Sequence, residues 1–101
     1  MGINTMTSHD GKTLVIKMDE KFDFGKVQDF RMAYDDLNSN IICIQVDLGQ
    51  TEYMDSSALG MLLNMQKALA DRKLEYKIVN SRPQVARILK ISRFDKKFDI
   101  S

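Results

Sequence analysis

The chain has 101 residues, of which 44% are apolar and 29% charged, and its formal net charge is +1. That is one domain's length with enough apolar surface to build a core, which excludes a globally disordered chain. Apolar stretches of only a few residues, one cysteine and one histidine exclude a membrane span of roughly 20 apolar residues, an internal disulfide, a Cys-rich zinc site and a His-clustered metal centre.

The first residues, MGINTMTSHDGK, contain no apolar signal core, so a cytoplasmic protein is expected. Residues 3–9 read as a weak edge strand, His9-Asp10-Gly11-Lys12 as a tight turn and residues 13–18 as a second strand. Residues 24–38 read as a helix, with Val27, Phe30, Tyr34 and Leu37 at helical spacing and Asn38-Ser39-Asn40 ending it. The run 41–48, IICIQVDL, is β-branched and nearly continuous in apolarity at its start. It is expected to be a strand buried on both faces, in a parallel sheet covered by helices. Residues 49–55 are expected to be a connecting loop, and a second helix is expected from Ser56 to Asp71. Residues 74–79 read as a strand. Ser81-Arg82-Pro83 reads as the start of a third helix, with Ser81 as cap and Val85, Ile88 and Leu89 as its buried stripe. Residues 97–100 add a last short strand. The alternation predicts an α/β fold: one mixed, largely parallel sheet of four to five strands with helices packed on it, forming a single domain over residues 1–101.

Charge is unevenly spread. Residues 1–65 carry ten acidic and five basic side chains, whereas residues 66–101 carry ten basic and four acidic. A nucleic-acid surface would interleave such charges with stacking aromatics. Only Tyr76, Phe94 and Phe98 lie nearby, so the basic half is read as solvated helix surface and no nucleic-acid partner is expected.

The most informative stretch is Met54-Asp55-Ser56-Ser57-Ala58-Leu59-Gly60-Met61-Leu62-Leu63. Asp and Ser are preferred helix caps, because their oxygens accept from backbone N–H groups that a helix start leaves unpaired. One cap needs one polar side chain, and here three stand in a row. A helix N-terminus also favours anions. A phosphate added to a serine there finds donors, opposed by the negative charge of Asp55. Along the helix, Leu59, Leu62, Leu63, Leu69 and Ala70 share one face, and Ala58, Met61, Met65 and Ala68 widen the apolar arc beyond half the circumference. The polar arc of Ser57, Gly60, Asn64, Lys67 and Asp71 is narrow. Two outcomes remain open. Either the helix is buried on more than one side, or Ala58, Met61 and Met65 form an exposed flank that docks a partner.

An enzyme reading has little to build on. His9 falls in a hairpin turn, Cys43 within an apolar strand as a small buried hydrophobe, and Asp23 and Asp55 have no evident pocket. No catalytic residue, cofactor or metal is expected.

Asp55-Ser56-Ser57-Ala58-Leu59-Gly60 resembles the signature of the STAS domain (sulphate transporter and anti-sigma factor antagonist), read as Asp-Ser-Ser-Gly-Leu-Gly in bacterial anti-sigma factor antagonists. The opening hairpin, the acidic loop at Phe22-Asp23, the strand at 41–48, the helix after Asp55, the strand at 74–79 and the helix after Pro83 fall in family order. Two departures stand out: Ala58 replaces the motif glycine, and the loop Asp19-Glu20-Lys21-Phe22 lacks a glycine often found there. The resemblance also implies that the family's C-terminal helix is short or missing here. It implies a phosphorylation switch instead of an active site, with Ser56 as phosphoacceptor, Ser57 as fallback, and Asp23, Asp55 and Ser57 as its neighbourhood. The implied partners are a serine kinase, which is often the anti-sigma factor itself, or a switch protein, together with a PP2C-type serine phosphatase. The unphosphorylated form binds and the phosphorylated form releases. The circuit implied is either sigma-factor control or a non-sigma one such as biofilm polysaccharide production.

Overall fold

The computed structural model describes residues 2–101. The strands are β1 (Asn4–Thr7), β2 (Thr13–Lys17), β3 (Lys21–Phe22), β4 (Cys43–Asp47), β5 (Tyr53–Met54), β6 (Glu75–Val79) and β7 (Asp99–Ile100). The helices are α1 (Val27–Asp35), α2 (Ser56–Ala68) and α3 (Pro83–Ile91).

The opening hairpin follows from its turn chemistry. Gly11 adopts a positive φ of 76°, which costs a residue without a Cβ nothing. The Asp10 carboxylate accepts from the Ser8 hydroxyl at 2.6 Å and from the Lys12 N–H at 3.1 Å. β1 therefore returns antiparallel to β2, as the Asp-Gly signal predicts. β2, β4, β6 and β7 then run parallel, and the main sheet has five strands in the order β1-β2-β4-β6-β7. The mixed, largely parallel sheet expected from the sequence is the sheet observed.

Strand alternation divides the two sides of this sheet. Leu14, Ile16, Ile44, Val46 and Ile78 are buried and join Phe30 and Tyr34 of α1, Leu62 of α2, and Val85 and Leu89 of α3 in one core. The residues between them, including Val15, Lys17, Gln45, Asp47, Lys77 and Val79, are only half-buried. Here the structure corrects the sequence reading: β4 is covered by helices on one face and not on both. Its opening apolar run misled because Ile42 lies just outside the strand and is exposed, while Cys43 is shielded on the open face among its strand neighbours. Burial pushes the Cys43 thiol above its ordinary range, so it is a poor nucleophile.

Boundaries of all three helices also differ: α2 ends at Ala68 and not at Asp71, with a separate 3-10 turn over Ala70–Arg72. α1 begins at Val27, after a 3-10 turn over Phe24–Lys26, and stops at Asp35. The guanidinium of Arg72 then closes the loop that follows, donating to the carbonyls of Leu37, Asn38 and Ile41. The cap of α3 is Arg82 and not Ser81, and it makes no side-chain capping bond. Pro83 occupies the first helical turn, which places the cap directly before it. The Ser81 hydroxyl is buried without a partner among the described residues.

Candidate functional site

Residues 49–55, expected as a plain loop, contain β5. It pairs in parallel with β3, Lys21 opposite Tyr53 and Phe22 opposite Met54, as a second sheet of two strands. The N–H groups of Glu52 and Tyr53 both donate to the Glu20 carbonyl, and the buried Thr51 donates its hydroxyl to the Asp19 carbonyl at 2.8 Å. Phe22 and Met54 point inward and are buried. The residue that follows each strand is an aspartate, so this register brings Asp23 and Asp55 to the same end of the ladder.

The two aspartates are structural twins. Asp23 has φ −135° and ψ −172°, and its Oδ1 accepts from the Gly25 N–H at 3.0 Å. Asp55 has φ −127° and ψ −172°, and its Oδ1 accepts from the Ser57 N–H at 3.0 Å. Each is an extended residue whose carboxylate caps the turn that follows, the standard role of Asp at a helix start. The capping expected of Asp55 is therefore present, and Asp23 repeats it.

The two serines differ. Ser57 is half-buried, and its hydroxyl donates to Asp55 Oδ1. Ser56, the first residue of α2, is exposed, and its hydroxyl has no hydrogen-bond partner among the described residues. Hydrogen bonds from Ser57 hold the Asp55 carboxyl below its usual range, so it is charged at neutral pH.

Tyr53 belongs to the site and was not singled out by the sequence. It is 49% exposed, and its phenol donates to Asp55 Oδ2 at 3.3 Å. The charge of Asp55, aided by Asp23, raises its pKa, so it keeps its proton. The missed signal is strand alternation: once 53–54 is a strand, Tyr53 and Asp55 fall on the same side.

The structure corrects the docking flank. Ala58 and Met65 are fully buried and Met61 is 8% exposed, so none of the three forms a surface. They belong to the core because α2 crosses the centre of the sheet, and its stripe of Ala58, Met61, Leu62 and Met65 meets the sheet and the other helices. The exposed face of α2 runs instead through Ser56, Gly60, Leu63, Asn64 and Lys67. A Cβ built on Gly60 meets nothing within 4 Å. Gly60→Ala is therefore expected to stabilise the free protein by about 0.5–1 kcal/mol, read as a higher urea midpoint at unchanged m-value. His9 sits exposed in the hairpin turn. Among the described residues no helix is long and apolar enough to cross a membrane, and no group of three His, Cys, Asp or Glu side chains is placed to hold a metal.

A twin-capped pair of helix starts, with a free serine at the head of the central helix, sits in an α/β fold whose sequence matches the STAS domain over residues 4–101. The chain belongs to the STAS family. It is 41% identical over 101 residues to a STAS-domain containing protein of Pseudomonas aeruginosa (strain UCBPP-PA14), covering all of both chains. Among solved structures, this STAS chain superposes on the anti-sigma factor antagonist SpoIIAA in its unphosphorylated form with a TM-score of 0.79 at 18% identity, covering 99% of this chain and 88% of that one. The phosphorylated form of the Bacillus SpoIIAA gives 0.73 at 17% identity, with 99% and 91% coverage. An anti-sigma factor antagonist from Mycobacterium paratuberculosis gives 0.76 at 18%, with 98% and 85% coverage. At these identities the likeness is one of fold, the mixed five-stranded sheet with three helices.

Proposed function

We propose that this STAS domain is a partner-switching protein of the anti-sigma factor antagonist type, with Ser56 as its phosphoacceptor. The observation that carries the reading is the contrast between the two serines. Ser56 offers an exposed hydroxyl with no partner among the described residues, while Ser57 is half-buried and bonded to Asp55. A serine kinase transfers the terminal phosphoryl of a nucleoside triphosphate to Ser56 Oγ. The Oγ–P bond forms, the diphosphate leaves, and the hydroxyl proton passes to a base of the kinase. A PP2C-type phosphatase restores the hydroxyl by hydrolysis: water attacks phosphorus, the Oγ–P bond breaks, Ser56 Oγ takes a proton and inorganic phosphate leaves.

The unphosphorylated form binds its kinase, anti-sigma or switch partner. The surface around Ser56 suits that role, because it includes apolar groups open to solvent: Phe24 at 77%, Tyr53 at 49% and Leu63 at 37% exposure. Phosphate adds a charge of about −1.5 to −2 beside Asp23 and Asp55, and an interface fitted to the neutral serine is lost. That SpoIIAA keeps this fold in both its phosphorylated and unphosphorylated forms supports a switch acting at the surface without refolding. The same device serves a sigma-factor circuit or one controlling biofilm polysaccharide.

Mass spectrometry of the protein isolated from its own cells tests the assignment. Phosphate is expected on the wild-type chain and on Ser57→Ala, and none on Ser56→Ala. A wild-type chain without phosphate under all growth conditions would remove the reading.

A further inference from the structure

We propose that Tyr53 and Asp55 form a positioning lock that withholds the Ser57 hydroxyl from phosphoryl transfer and so confines it to Ser56. The inference rests on the phosphoacceptor reading above and says what enforces it. Ser56 and Ser57 are consecutive, identical in chemistry and at the same helix start, so sequence alone does not separate them as substrates.

The geometry does. Asp55 Oδ1 accepts both the N–H and the hydroxyl of Ser57, and Oδ2 accepts the Tyr53 phenol at 3.3 Å. One carboxylate is thus held at both oxygens. Strand alternation supplies the third contact, because residues two apart on an extended chain face the same side. The phenol stays a donor, since two nearby carboxylates disfavour its ionisation. Without the phenol, Oδ2 is left to water and the carboxylate loses one of its three restraints, which weakens its hold on the Ser57 hydroxyl.

For Ser57 to react, its hydroxyl has to leave Asp55, and its half-buried oxygen has to meet the phosphoryl group. The same balanced transfer then applies, with the Oγ–P bond formed, the nucleoside diphosphate released and the proton taken by the kinase. A hydrogen bond to a charged acceptor biases the hydroxyl against leaving by about ten- to a hundredfold. Asp55 is also a poor base for that proton, its carboxyl being held below the usual range. Ser56 carries neither restraint.

The test is site-resolved phosphate mapping by fragment-ion mass spectrometry on full-length chains expressed in their own host. Wild type is expected to carry phosphate on Ser56 alone. Tyr53→Phe and Asp55→Asn, which keep the ring and the capping oxygen, are expected to place at least about a tenth of their phosphate on Ser57. The double variant Ser56→Ala, Tyr53→Phe is expected to regain phosphate on Ser57 where Ser56→Ala alone has none, a gain that no merely structural role of Tyr53 provides. Phosphate confined to Ser56 in both single variants, with none in the double variant, overturns the lock. So does loss of all phosphate from Tyr53→Phe while wild type keeps it, which makes Tyr53 a kinase contact. A wild type without phosphate instead removes the phosphoacceptor reading, and the lock with it.

Discussion

Replacing Phe22 by alanine is expected to destabilise the protein by about 3–5 kcal/mol, the usual range for deleting a buried phenyl ring. Phe22 is fully buried on a strand of only two residues. Its ring lies 5.3 Å from that of Phe30, which in turn meets Tyr34 edge-on at 5.8 Å. This chain of rings fastens β3 to α1. Other anchors of the segment are the two-residue ladder with β5, the Glu52 and Tyr53 N–H bonds to the Glu20 carbonyl, the Thr51 hydroxyl bond and the ion pair between Lys26 and Asp19 at 3.0 Å. A domain of this size has roughly 5–15 kcal/mol in all, so the variant loses a large share of its stability. Thermal unfolding should show a fall in Tm of more than about 10 °C. A loss below about 1 kcal/mol would mean that β3 is held by something other than its ring.

Ser56→Asp should leave stability nearly untouched and reduce partner capture by at least about a hundredfold. The two halves have separate causes. At the first position of a helix, a carboxylate faces the positive end of the helix dipole, which is neutral to favourable by up to about 1 kcal/mol. At an interface, a new like charge beside Asp23 and Asp55 costs several kcal/mol against any acidic or apolar partner group, and each 1.4 kcal/mol is about tenfold in affinity. Affinity capture from host extract with wild-type, Ser56→Ala and Ser56→Asp baits reads both. The first two should retain a common protein that the third loses, with all three melting within a few degrees. Equal retention by all three baits would reduce Ser56 to the first residue of a capped helix.

Much of this arrangement was legible in the sequence. The strands at 13–18 and 74–79 announced themselves by composition, and Asp-Gly announced the hairpin. The group Asp55-Ser56-Ser57 marked the cap, while only the fold shows which of the two serines is exposed. What escaped had physical reasons. β3 and β5 have two residues each, too few to display a period, and only their pairing makes them strands. The apolar arc of α2 was too wide for periodicity to choose a face, and the fold chose Met61 and Met65 for the interior while leaving Leu63 partly in water. Methionine fills irregular space well, which suits it to the crowded centre beneath the sheet. The cap of α3 could have been placed correctly, because proline favours the first helical position and so points to Arg82. Tyr53 was missed because its role depends on β5.

The ladder of β3 and β5 has one more consequence. It leads directly into both aspartates, yet it stands apart from the five-stranded sheet and has only two residues on each side. Segments with few protected amides open at far lower free energy than core strands. Both caps therefore share one short ladder, and opening it, which requires Phe22 and Met54 to leave the core, frees the two helix starts together. In hydrogen exchange, the amides of residues 21–25 and 53–57 should exchange as one group, well before those of β4. A partner that grips this end of the molecule can thus move both members of the acidic pair together, while the sheet beneath it stays intact.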